Sequence, residues 1–419
     1  MDPRILKELI VEQKKDFEKK EKFVERTILK EIKQYLNLPH VIIISGLRRS
    51  GKSTLLKEIK HRYYEDENIY YFNFEDERLV NFTLEDFNLL FETFMEIVGK
   101  SNIFFFDEIQ VVNGWEAFVR RMNDKGYKFF ITGSNSSMLS REMGTKLTGR
   151  SIAIELYPFS FKECLSYANI DTNKTMFLTE ERALIKKEFN EYIDNGGMPE
   201  YRIYKNDKTL KDLYENILYR DVIVRYNLSD EKSLKELTHF LFSNYGKEIS
   251  YNSLKSMLNL GSVNTVKHYT SHLENSYLIF TIPKYDESLK KQIYSKKKVY
   301  VIDMGLINLI SFKFSKNSGR ILENIVFLEL KRKNKEIFYH KEKSECDFII
   351  KDKLEIVQAI QVTQNLDDGN KSREIAGLLD ACNKYKLKEG MILTYDQEED
   401  IIVDDKKIVV KPVWKWLLQ

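Results

Sequence analysis

The sequence predicts an α/β protein of several domains, led by a parallel sheet with helices on both faces. Three observations carry this. Short apolar runs rich in β-branched and aromatic residues recur through the first third of the chain, as strands buried on both faces require. Helical stretches separate them, which is the βαβ arrangement. Only 17 glycines and 6 prolines occur in 419 residues, which favours helices over Pro-rich linkers.

The elements follow in order. Residues 2–36 carry Ile5, Leu6, Ile10, Phe17, Phe23, Val24, Ile28 and Ile32 near helical spacing among Lys and Glu, and predict one charged helix. Strands are expected at VIIIS (41–45), IYYFNF (69–74), IFFFD (103–107), KFFIT (128–132) and SIAIEL (151–156). From about 158 to 245 the pattern is helical, broken at Gly196-Gly197-Met198-Pro199. A helix at 250–258, a turn at Asn259-Leu260-Gly261-Ser262, a helix at 263–275 and the apolar strand YLIFTI (277–282) form the pattern of a helix-turn-helix with a wing. The lysine-rich KKQIYSKKK (290–298) is its expected tip and VYVID (299–303) the return strand. A helix at 320–332, strands at 336–340, 346–350, 355–363 and 390–395, and a helix at 371–385 make a second, smaller α/β unit. The expected domains are 1–157, 158–245, 246–303 and 304–419.

Composition narrows the function classes. Hydrophobic residues at 42% and charged residues at 31% exclude global disorder. Lys+Arg 67 against Asp+Glu 64 is too balanced to speak for or against nucleic acid, so only local clustering can. No apolar run reaches the roughly 18 residues of a membrane helix, and the N-terminus is too charged for a signal peptide. A cytoplasmic protein with no membrane partner is expected. Cys164, Cys346 and Cys382 fit neither a disulfide framework nor a cysteine zinc site.

One motif carries chemistry. Gly46-Leu47-Arg48-Arg49-Ser50-Gly51-Lys52-Ser53-Thr54 fits G-x-x-x-x-G-K-[ST] between an expected strand and an expected helix, which is the context of a P-loop. Gly46 and Gly51 let backbone N–H groups turn around phosphate oxygens. Arg49, Ser50 and Thr54 complete the phosphate-facing segment. Lys52 is to reach the outer phosphates and Ser53 to offer its hydroxyl to Mg2+ beside the helix N-terminus. FFFDE then ends a core strand in two carboxylates. Asp107 is expected to hold Mg2+ through water and Glu108 to act as general base on the attacking water. After the next strand, Ser134 and Asn135 are both candidates for reading the γ-phosphate. ATP and Mg2+ are therefore the expected cofactors.

At this point the chain resembles a family. GLRRSGKST, FFFDEIQ, TGSNSSML, LTGR with LYPFSFKE, NGGMPEY, YRDVIVRY, GRILENIVFLEL, ECDFII and AIQVT are similar to the prokaryotic, largely archaeal AAA-type ATPases that carry a C-terminal domain of unknown function. The resemblance spans nearly the whole chain. It implies a P-loop AAA-type parallel sheet with a helical lid. It implies that Arg150, in the Gly149-Arg150 pair, is an arginine finger or sensor, which would stabilise transition-state charge. Pro199 resembles the proline that packs on adenine in related signal-transduction ATPases. Glu75-Asp76 matches a family element with no evident role beyond a polar loop.

Two weaker constellations remain. The second helix of the helix-turn-helix would present Asn264, Thr265, Lys267, His268 and Tyr269, and the wing Lys290, Lys291, Lys296, Lys297 and Lys298. Such lysines suit phosphate contacts to DNA. The C-terminal unit resembles the restriction-endonuclease-like fold. There a helical Glu, a strand Asp and an E-x-K pair gather Mg2+ and a lysine around the scissile phosphate. Glu323 and Asp347 match, but the E-x-K position reads Gln361-Val362-Thr363, which predicts a non-catalytic site without its lysine. The expected function is a Mg2+-dependent ATPase that couples nucleotide state to DNA binding or remodelling. A nucleotide-dependent signalling or defence switch with a protein partner, and an ATP-regulated nuclease, are the alternatives; a homo-oligomer fits an arginine finger.

Overall fold

Five apolar runs of the first 157 residues pair side by side as β1 (Val41–Gly46), β2 (Tyr70–Asn73), β3 (Ile103–Asp107), β4 (Lys128–Gly133) and β5 (Ser151–Leu156). All pairs are parallel and the order is β2-β3-β4-β1-β5. The computed structural model describes residues 1–419 except 20, 22, 140–146, 148, 171–178 and 312–317. It divides into two units, Met1–Tyr157 and Pro158–Gln419.

In the first unit, helices α1 (Pro3–Phe17), α2 (Leu29–Tyr35), α3 (Lys52–Tyr63), α4 (Phe87–Ile97) and α5 (Trp115–Asp124) cover the sheet. Alternate strand residues face opposite layers. Tyr70, Phe72, Phe104, Phe106 and Phe129 pack with residues of α1, α4 and α5. Ile42, Ile44, Phe105 and Phe130 pack with Leu55, Leu56 and Ile59 of α3. Neighbouring strands stack their rings, with Phe104 on Phe129 at 4.6 Å and Phe105 on Phe130 at 4.8 Å between centroids. Burial on both faces is why these strands read as unbroken apolar runs rather than alternating ones.

The single N-terminal helix expected over 2–36 is corrected to two. α1 stops at Phe17, whose buried ring stacks on Tyr71 at 3.9 Å. The chain then lies along α3, with Glu21 paired to Lys57 at 2.7 Å and Glu25 to Arg62 at 3.5 Å. Phe23 packs near His61 at 5.8 Å. The apolar spacing of Phe23 and Val24 suits a helix, but tertiary contacts to α3 outweigh that local preference.

The second unit holds the other three expected segments. Its three-stranded antiparallel sheet has β6 (Glu248–Ile249), β7 (Ile279–Pro283) and β8 (Lys297–Val301) in the order β6-β8-β7. Helices Tyr251–Met257 and Val263–Asn275 lie between β6 and β7. The expected wing tip is corrected: a short helix, Leu289–Tyr294, joins β7 to β8. Lys298 points inward and is 1% exposed, because β8 is the central strand and Tyr300 on it stacks on Phe327 at 4.2 Å. Lys297 is half-buried, its Nζ donating to the Gln292 carbonyl at 2.5 Å. Tyr269 is buried in the helical core and presents no free face.

A six-stranded mixed sheet follows, with β9 (Glu336–Lys341), β10 (Glu345–Asp352), β11 (Glu355–Val362), β12 (Glu389–Thr394), β13 (Glu399–Val403) and β14 (Lys406–Pro412). Its order is β13-β14-β12-β11-β10-β9. Helix Lys371–Lys384 crosses between the parallel pair β11 and β12. The β13–β14 hairpin was not expected. Its two-residue turn, Asp404-Asp405, has φ of +48° and +63°, the backbone that tight hairpins need and that Asn-Gly usually signals. Among the described residues no helix is long and apolar enough to cross a membrane.

Phe104 is wholly buried and stacked in the centre of the first sheet. Phe104→Ala is expected to cost about 3–5 kcal/mol, read as a lower urea midpoint for the first unit at an unchanged slope.

Candidate functional site

The parallel register decides which residues meet. Ile44 lies opposite Thr132 and Ser45 opposite Gly133 on β4, while Phe106 on β3 lies opposite Ile131. The carboxyl ends of β1, β3 and β4 therefore stop at one level, where α/β sheets hold ligands. The loop after β1 enters α3 at Gly51, whose φ of +98° suits glycine. A side chain on Gly46 would come 2.1 Å from the Leu156 carbonyl of β5, so the loop can leave β1 only from a glycine. Arg49 is also left-handed, at φ +61°, and lies exposed; Ser53 and Thr54 are exposed on the first turn of α3.

Lys52 is buried and its Nζ donates to the carbonyls of Gly46 (3.2 Å) and Leu47 (3.1 Å). The same ammonium lies 3.3 Å from Glu108 Oε1. Glu108 holds a left-handed backbone, φ +53° and ψ +38°, a strained choice for this residue type. That turn aims its carboxylate back at the loop. Gln110 Nε2 donates to Glu108 Oε2 at 2.5 Å, and the Glu108 N–H donates to Thr132 Oγ1 at 3.0 Å. Burial pushes the Glu108 carboxyl up, but Lys52, Gln110 and Arg48 together hold it below the usual carboxylate range.

Asp107 is buried and takes hydrogen bonds from the hydroxyls of Thr132 and Ser53. Burial first, then the charge of Glu108, raises its carboxyl above the usual range. A second cation would relieve both effects. Ser53 and Asp107 bring two hard oxygen donors to one point, which is the donor chemistry magnesium takes. The hydroxyls of Ser50 and Ser134 are buried and have no hydrogen-bond partner among the described residues. Buried unpartnered hydroxyls at a glycine-bounded loop suit a polyanion's oxygens. Asn135 lies beside Ser134, its carbonyl accepting from Ser45 Oγ at 2.8 Å.

Two residues assigned through the resemblance do not join this cluster within one unit. The Arg150 carbonyl accepts from the Val41 N–H at 2.9 Å, at the amino end of β1. At about 3.3 Å per residue the length of β1 leaves on the order of 20 Å between Arg150 and Gly46. Within one subunit Arg150 thus lies at the opposite end of β1 from the glycine-bounded loop. Its side chain pairs with Asp124 and is about half exposed. Pro199 lies in the second unit as the first residue of helix Pro199–Tyr204. The glycines before it serve packing: Gly197 N–H donates to Asp303 Oδ2 at 2.6 Å, and a side chain on Gly196 would come 2.3 Å from Asp303 Oδ1.

Some partners escaped the sequence reading. Glu75, given no role there, pairs with Arg48 of the loop at 2.9 Å. Thr132 and Gln110 fix the two acids. Thr132 could have been read from its place at the end of KFFIT, one strand over from Asp107; Gln110 carried no such signal.

The model of an AAA domain matches residues 38–165, and that of a domain of unknown function (DUF8612) matches residues 186–317. An uncharacterized protein of Methanocaldococcus jannaschii is 40% identical, covering 100% of this chain and 96% of its own length. The chain belongs to this family. Another uncharacterized protein, of Haemophilus influenzae, is 31% identical over 93% of this chain and 97% of its own length. Among solved structures, AMPPCP-bound DnaA from Aquifex aeolicus is similar at 16% identity and a TM-score of 0.27, over 61% of this chain and 89% of that one. This member of the family is an AAA-type, nucleotide-binding protein with a parallel α/β sheet.

The second unit of this AAA-type protein holds a separate charge cluster. Lys298 Nζ lies 2.8 Å from Asp347, 2.9 Å from Glu345 and 3.2 Å from Glu323. The lysine expected to be missing beside Glu323 and Asp347 is thus supplied by β8, from a residue assigned to DNA. Tyr300 OH donates to Glu323 Oε1 at 2.7 Å. Gln361 Oε1 accepts the Asp347 N–H at 3.1 Å and its amide donates to Glu374 at 2.6 Å. Thr363 turns its hydroxyl to the Asn365 carbonyl at 3.2 Å. Burial, then Asp347, pushes the Glu323 carboxyl up to about 7.

Lys298→Met leaves these carboxylates without their ammonium and is expected to cost about 3–5 kcal/mol of the second unit's stability. Glu323, raised well above its unfolded value, binds a proton more readily when folded. Its protonation as pH falls through about 7 removes part of the need for Lys298. The loss, measured by urea unfolding, is therefore expected to be smaller at acid pH than at alkaline pH.

Proposed function

We propose that the first unit binds ATP with Mg2+ and hydrolyses it, and that nucleotide state governs what the second unit holds. The observation that carries this reading is the meeting of Lys52, Ser53, Asp107 and Glu108 around one glycine-bounded loop. ATP supplies the phosphoanhydride and Mg2+ offsets the charge on its oxygens. The loop N–H groups and Lys52 would hold the phosphates, Ser53 and Asp107 the ion, and Ser134 the outermost oxygens.

Glu108 would take the proton. Its Oε2 is fixed by Gln110 and its Oε1 is paired with Lys52. When Lys52 turns to phosphate oxygens, Glu108 loses the attraction that depresses its carboxyl. It then becomes a better base while Gln110 still holds its orientation. Lys52→Ala is expected to abolish phosphate release and weaken ATP binding in titration calorimetry. Glu108→Gln is expected to bind ATP and stop turnover. A Glu108→Gln protein releasing phosphate at the parental rate would remove Glu108 from the base role.

Arg150, far from its own loop, would reach a nucleotide only across a subunit boundary. Lys52→Ala and Arg150→Ala proteins, each inactive alone, are then expected to regain some activity when mixed. No regain, with a monomer in sedimentation, would leave Arg150 to its pairing with Asp124.

DNA binding through the second unit is the favoured output. It would run through Lys267 and His268, exposed on the second helix, and through Lys290, Lys291 and Lys296. Part of that charge is engaged: Lys291 lies 3.9 Å from Asp286 and Lys296 3.7 Å from Glu248. Removing charge at Lys267, Lys290, Lys291 and Lys296 is expected to weaken all duplexes alike. It should also flatten the salt dependence by about 0.9 log units for each phosphate that is no longer neutralised. The second reading, a nucleotide-dependent switch on a protein partner, is favoured by Leu289, Ile293 and Tyr294, which are exposed on the short helix between β7 and β8. No duplex binding at low salt would select it. A nuclease is disfavoured, since Lys298 neutralises Glu323 and Asp347 internally and Gln361 offers only an amide.

A further inference from the structure

We infer that Arg26 is a positioning residue for the phosphate loop, holding the Ser50–Gly51 peptide so that the Gly51 N–H faces the phosphates. The inference rests on the ATP-binding reading and adds a residue outside the motif. Arg26 lies in the segment that runs along α3 between α1 and α2, and its side chain is buried. Nη1 donates to the Ser50 carbonyl at 2.9 Å and Nη2 to the Tyr157 carbonyl at 2.6 Å.

The geometry of the peptide does the rest. In a planar trans peptide the C=O and the following N–H point opposite ways. With the Ser50 carbonyl fixed on Arg26, the Gly51 N–H is turned away from Arg26, toward the inside of the loop. A side chain on Gly51 would meet Arg26 Nη1 at 3.3 Å, so glycine serves here both for its φ and for this approach. The second bond, to Tyr157, anchors the guanidinium to the residue that ends the first unit. A rigid fork can serve two carbonyls at once, whereas an ammonium is a single point of charge.

Electrostatics argue that the placement is not for stability alone. A cation beside the N-terminus of α3 opposes the helix dipole. Glu58, buried on α3, lies within Coulombic reach of Arg26 and offsets part of that cost. The fixed Gly51 N–H is what this placement offers to a phosphate.

The test compares ATP with AMP, which lacks the outer phosphates, by titration on the full chain for the parent, Arg26→Lys and Arg26→Met, with thermal unfolding alongside. Arg26→Met is expected to weaken ATP by about tenfold or more, the worth of a hydrogen bond to a charged group, and to leave AMP nearly unchanged. Arg26→Lys is expected to recover part of the ATP affinity, and it carries the test if the Met variant does not fold. Equal losses for ATP and AMP, or ATP binding as in the parent, would overturn the inference. A parent that binds no ATP would overturn the phosphate-site reading as well.

Discussion

The level at which the parallel strands end is the constraint on which the candidate site depends. β1, β3 and β4 pair in a register that sets Ser45 opposite Gly133 and Phe106 opposite Ile131, so Gly46, Asp107 and Gly133 end their strands at one edge of the sheet. Each strand then turns into a loop that carries one chemical group: the glycine loop with Lys52, the acid pair, and Ser134. A one-residue slip of β3 would move Asp107 and Glu108 to opposite faces. The aromatic stacks across β3 and β4 hold that register from below, so packing in the middle of the sheet sets the chemistry at its edge.

Charge at the site is balanced internally rather than by solvent. Lys52 answers Glu108, and Ser53 and Thr132 answer Asp107. Groups this buried cannot be left unpaired without large cost. They are therefore coupled: any group that drew Lys52 away would also leave Glu108 without its counter-charge. Arg26 extends the same logic to the backbone, where a buried cation fixes the direction of one peptide.

The second unit uses similar physics for a different end. Lys298 binds Glu323, Glu345 and Asp347 at the meeting of β8 with β10 and the helix Ser318–Arg332. The cluster ties the three-stranded sheet to the six-stranded one. A lysine serving that buried junction cannot also meet a phosphate in solvent.

The sequence alone determined the five strands of the first unit and their order along the chain, the glycine-bounded loop and the acid pair. These rest on local signals: unbroken apolar runs, glycines at fixed spacing, and carboxylates at a strand end. Tertiary structure decided the rest. Nothing local separates Lys298 from Lys290, because burial depends on which strand becomes central. Nothing local separates Phe23 in a strap from Phe23 in a helix, because α3 supplies the contacts. Arg26 belongs to no motif, and only folding brings it to Ser50. Strand direction puts Arg150 at the far end of β1 from the glycine-bounded loop, which no local signal in the Gly149-Arg150 pair states. Local pattern fixes what a segment can form; which groups then meet is set by register, strand direction and burial, and those are properties of the packed chain.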